Sequence, residues 1–182
     1  NGVASFSLGL LVLCKNPAKR VNRTYFLFNL CITFWSAAYI PWPLSGTKEA
    51  ALFWFQLLHY GAAFIPATYY HFVLALINKT MEGKRSLRLG YLLALFFACF
   101  IPTKFFISDM APKFALEFWG VPGVFYHLFL AYFFSFVIMS LRSLWKEMVM
   151  SRSGEGRRYR DVLIATLIGY AGGSTNFPLW YD

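Results

Sequence analysis

Acidic residues are scarce in this chain and missing from its apolar runs. Asp and Glu number 8 against 17 Lys and Arg, and only 14% of the 182 residues are charged. A soluble domain of this size carries about 25% charged residues. Here 58% are hydrophobic and 21% aromatic instead. The carboxylates keep to loops and the C-terminal end, which argues against an intramembrane protease or proton pump, where acids within the spans are expected. Cysteine is also rare. Cys14, Cys31 and Cys99 form no CxxC pair, and their odd number argues against a disulfide framework; they read as small membrane-packed thiols. No Gly-rich phosphate loop, no HExxH and no Ser or Cys beside an obvious base occurs. The chain is therefore read as having no catalytic residues, no metal and no cofactor. The net charge of +9 would fit nucleic acid only if the basic residues gathered on one solvated face. They sit between apolar runs, so no nucleic-acid partner is expected. Asn1 stands where an initiator Met would, which leads us to expect a trimmed N-terminus.

What the chain has is apolar runs, six of them: Asn1–Cys14, Thr24–Thr47, Ala50–Asn78, Leu89–Ser108, Phe118–Leu141 and Val162–Tyr181. A helix crosses about 30 Å of hydrocarbon with roughly 20 apolar residues. The second run should end its helix near Pro41-Trp42-Pro43, and the fourth spans only if Lys104 snorkels to the interface. The spacing predicts an all-α, polytopic transmembrane helix bundle, one domain over 1–182, with six spans present of an expected seven and truncation at both ends. The first, third and fifth loops hold 14 of the 17 basic residues, and the second and fourth hold 3. That asymmetry places the odd loops in the cytoplasm and the N-terminus outside. Trp42, Trp54, Trp119 and Trp180 then fall at the outer boundary and Trp145 at the inner one. The triplets beginning at Asn22 and Asn78 resemble glycosylation sites but lie on the cytoplasmic side, and read as chance.

The third run is the one the rest should pack around. At 100° per residue, Gln56, His59, Tyr60, Tyr70 and His71 share a face about 120° wide, with Ala63 and Ala67 between them. Lipid cannot hydrogen-bond such groups, so this face should turn toward other helices or a wet cavity. His59 and His71 lie too far apart along a helix to share a metal. His59 and His127 each fall nine residues past the outer start of their runs, so they can sit at one depth. Hydrogen bonding between helices and a ligand or proton-sensing role both remain open for them. In the sixth run Ala165, Gly169 and Gly173 repeat every four residues, an edge that lets helices approach closely, before a polar, glycine-rich stretch containing Asn176. An outer-half pocket lined by Gln56, His59, Tyr60, His127 and Asn176 is the candidate ligand site.

Asn29-Leu30, Phe34-Trp35-Ser36 and Tyr39 are followed by Phe53-Trp54, Leu57 and Tyr60-Gly61-Ala62-Ala63-Phe64-Ile65-Pro66. Later come Gly169, Gly172-Gly173 and Asn176-Phe177. Together, from about Asn16 to Leu179, these resemble the N-terminal seven-helix sensor region of bacterial histidine kinases. The resemblance implies a membrane sensory input module, not itself an enzyme, joined through its last helix to a cytoplasmic output domain. That domain is a histidine kinase or sometimes a diguanylate cyclase. It further implies the bacterial inner membrane as location, an extracellular or membrane signal of unknown chemistry, and a homodimer formed through the output region. The competing class is a small transporter or channel, which would need a polar pathway through the whole bilayer.

Overall fold

The computed structural model describes residues 1–151 and 154–174. Six helices and one β-hairpin follow in order: α1 (Gly2–Lys15), α2 (Arg20–Tyr39), α3 (Lys48–Leu76), α4 (Lys84–Phe100), β1 (Ile107–Lys113), β2 (Leu116–Pro122), α5 (Val124–Met150) and α6 (Glu155–Ser174). The helical class expected from the sequence holds. Among the described residues, α3 and α5 are long and apolar enough to cross a membrane, while α1 is apolar but only 14 residues long.

Helix α3 is the hub. It packs on α2, α4, α5 and both strands, while α1 covers α2 and α6 covers α5. Its start is set by Thr47, whose hydroxyl accepts from the Ala50 amide, with Glu49 in the first turn complementing the helix dipole. Pro66 is accommodated without a break. The far end closes in a Schellman arrangement, with Asn78 at φ 57°, the Lys79 amide donating to the Leu74 carbonyl and the Asn78 amide to that of Ala75. Ala63 and Ala67 are fully buried, as their place in the stripe implies. Small residues also govern the other close approaches. A Cβ on Gly61 would lie 2.8 Å from the Trp35 amide nitrogen, so α2 and α3 meet backbone to backbone. Gly2, Ser5 and Gly9 give α1 a flat face against Asn29, Thr33 and Ser36 of α2.

The hairpin is a correction. The sequence suggests a charge-balanced loop followed by an apolar span from Phe118. Instead, residues 107–122 form an antiparallel pair with Lys113 opposite Leu116, and α5 begins only at Val124. Tertiary burial decides this. Ile107, Met110 and Trp119 face inward onto α3 and the α2–α3 connection. Gly120 sits so close to the Phe55 ring that any Cβ would overlap it.

The two ends of the bundle differ chemically. At one end lie the α2–α3 connection and the hairpin, tied by the Lys48–Asp109 ion pair at 2.6 Å and by the Trp42 indole N–H donating to the Phe118 carbonyl at 2.9 Å. At the other end lie the α1–α2, α3–α4 and α5–α6 connections, where Lys79 pairs with Glu147. The basic residues of the odd loops thus share one end. Partner charges shift both tethered groups: Lys48 beside Asp109 holds that carboxyl below its ordinary range, and Glu147 beside Lys79 raises that ammonium.

Candidate functional site

His59 is the polar centre of an aromatic cluster beneath the hairpin. It is 4% exposed, and its ring lies 4.9 Å from Phe55, 5.4 Å from Phe106, 5.7 Å from Tyr126 and 6.4 Å from Phe129, centroid to centroid. Its Nδ1 is 2.6 Å from the Phe55 carbonyl oxygen, which can only accept, so that nitrogen carries a hydrogen. Trp42 and Trp119 close the cluster toward the hairpin, with ring centroids 5.3 Å apart and Phe55 against both.

Helical geometry decides which expected residues join it. Gln56 and Tyr60 flank His59 on α3 and are half-buried. On α5 the residues turned toward His59 are Tyr126 and Phe129, and His127, one position round the helix, is exposed. The two histidines therefore do not face one another. Asn176 lies outside the described residues. Sequence reasoning missed Trp42, Phe106, Trp119 and Tyr126. A usable signal was present in Trp42 held between two prolines and in the Trp119-Gly120 pair, where a large ring stands beside a residue with no side chain.

Further along α3, polar groups tie helices together. The Tyr132 hydroxyl, from α5, reaches the Ala63 carbonyl of α3 at 3.1 Å and the Gly90 carbonyl of α4 at 3.3 Å. His71 Nδ1 lies 3.0 Å from the Tyr91 hydroxyl. Thr166 of α6 donates to its own Val162 carbonyl, so it accepts from the Tyr69 hydroxyl, 2.5 Å away. Such bonds are worth about 0.6 kcal/mol each in membrane proteins. Helix α6 also departs from expectation. Its contact face is Tyr159, Leu163, Thr166 and Tyr170, spaced by four, three and four. Ala165, Gly169 and Gly173 are exposed, and a Cβ on either glycine would meet nothing within 4 Å. The small-residue edge makes no close helix contact among the described residues, because the larger aromatic and hydroxyl side chains set the approach instead.

The geometry is that of a helical bundle with two helices long and apolar enough to cross a membrane, a histidine among aromatic rings, and buried polar bonds linking neighbouring helices. No group of His, Cys, Asp and Glu able to hold a metal occurs among the described residues. Comparison with protein families makes the class specific: this chain belongs to the family described as the N-terminal 7TM region of histidine kinase, which matches residues 2–177. The chain is therefore a membrane protein region on the input side of histidine-kinase signalling. No curated protein and no solved structure gave a match.

Proposed function

We propose that this chain is the sensory input module of a two-component histidine kinase, with six helices crossing the bacterial inner membrane and its N-terminus outside. The hairpin end faces outward and the basic end faces the cytoplasm, in accord with the excess of Lys and Arg there. An extracellular or membrane signal acts near His59, with Gln56 and Tyr60 beside it on α3. The bias it creates travels to a cytoplasmic output domain, which pairs with that of a second copy. The observation that carries the reading is a buried, hydrogen-bonding side chain with four aromatic rings packed against it under a tethered hairpin. Any signal must bind two arrangements of this cluster unequally, because a molecule with equal affinity for both shifts nothing.

The test uses the full-length protein in lipid nanodiscs, with autophosphorylation as readout across a ligand panel. His59→Phe should abolish the response to an active ligand while the helical circular dichroism stays native. If His59→Phe and Asn176→Ala both leave response and thermal stability unchanged, the site is elsewhere. Specific solute uptake by the purified protein in sealed vesicles would overturn the sensor reading in favour of a transporter.

A further inference from the structure

A cleft of about 460 Å³ opens at the basic end, between the α1–α2 connection and the α3–α4 turn. Lys19, Arg20 and Val21 from the start of α2 line it together with Ala75, Asn78, Thr80 and Met81 from the end of α3 and the turn after it. No acidic side chain lines it, and neither Lys19 nor Arg20 makes an ion pair among the described residues. The contrast lies at the same end of the bundle. A second cleft of about 270 Å³, between α3, α4 and α5, sets Lys79 and Lys146 against Glu82 and Glu147, so its charges are already balanced. Only the first has uncompensated positive charge over apolar ground. The helices leading into it also leave apolar side chains in the open, Leu11 on α1 and Leu27 on α2.

We propose that this cleft binds the headgroup phosphate of an anionic phospholipid. Arg20 offers a planar fork suited to two phosphate oxygens, and Lys19 adds a mobile point charge. The Thr80 hydroxyl and Asn78 amide supply neutral donors, while Val21 and Ala75 lie under the glycerol. Basic pockets between helices on the cytoplasmic face are where such headgroups settle. The bound lipid would tie the start of α2 to the end of α3. The inference rests on the reading that the basic end lies at a membrane face.

The experiment is native mass spectrometry of the detergent-purified protein titrated with phosphatidylglycerol or phosphatidylcholine. One phosphatidylglycerol should bind more tightly than the rest. A cation near a membrane surface is worth about fivefold in affinity, so Lys19→Gln/Arg20→Gln should weaken that event about thirtyfold. Arg157→Gln/Arg158→Gln, on exposed α6 at the same end, should leave it nearly unchanged. Equal losses in the two double variants would overturn the site and leave diffuse attraction. Displacement of the lipid by inorganic phosphate at matched concentration would show a free-anion site and overturn the lipid assignment. Should the first variant fail to fold, a phosphatidylglycerol analogue with a photoreactive headgroup decides on the unaltered protein. Label on peptides 15–24 and 77–82 supports the cleft, and label elsewhere refutes it. A protein that fails to enter phosphatidylcholine bilayers refutes the membrane reading itself. One that enters but shows no preference refutes only the cleft.

Discussion

Replacing Gly61 by alanine adds one methyl group where α2 and α3 touch through their backbones. The added carbon would lie 2.8 Å from the Trp35 nitrogen and 3.0 Å from both the Trp35 Cα and the Cys31 carbonyl oxygen. Carbon contacts settle at about 3.5–4.0 Å, so the helices must part by roughly 0.7 Å. Main-chain atoms cannot swing aside as a flexible side chain could. Alanine gains about 1 kcal/mol over glycine in a helix interior, but overpacking costs about 1–3 kcal/mol, and separating the helices also loosens their neighbours. A net loss of up to about 2 kcal/mol should result. The same substitution at Gly169 meets nothing within 4 Å, so only the propensity gain of about 0.5–1 kcal/mol remains. The two variants should therefore move stability in opposite directions. Thermal unfolding in nanodiscs, followed by circular dichroism, would read this at roughly 2–4 °C per kcal/mol. Gly61→Ala melting at or above the unaltered protein would refute the backbone-contact argument.

Asn78 holds the left-handed position that closes α3, so Asn78→Gly should be neutral or slightly stabilising and Asn78→Val should cost about 1–2 kcal/mol; thermal unfolding separates them. The Asp109 carboxyl is held low by Lys48, so its folded value lies below the unfolded one. The stability it contributes is thus present above the ordinary value of 3.8 and lost as pH falls through the lowered one. Hydrogen exchange of hairpin amides should accelerate at that acid step, and Asp109→Asn should abolish the step. Trp42→Phe removes the indole donor to the Phe118 carbonyl and should cost about 1 kcal/mol, again visible as faster exchange at β2.

Apolar run length made α3 and α5 legible, because a long stretch without charge has few alternatives. It also identified α3 as the hub, since polar groups on an apolar helix need neighbours. The hairpin was not legible. Its turn lacks the glycine or asparagine that marks tight hairpins, and Phe114 takes the positive φ, at 51°, in its place. Phe118 to Pro122 then reads as the start of a span, though it is a strand buried on one face. Counting residues fixed the level of His127 but not its azimuth, and the aromatic positions turned toward His59 carry no sequence mark that sets them apart. On α6 the glycine spacing was a real pattern. Packing there is settled instead by the face that carries Tyr159, Leu163, Thr166 and Tyr170.

The edge-on meeting of Trp42 and Trp119 joins the α2–α3 connection to the hairpin through two indoles, 5.3 Å between centroids. Chromophores that close share their excited states, so the pair should produce a paired positive and negative band in the ultraviolet dichroism that neither indole gives alone. Lifting the hairpin by a few ångströms would weaken it sharply, because such coupling falls with the inverse cube of the separation. The protein thus carries a native optical gauge of its hairpin cap, readable on the purified protein without a label.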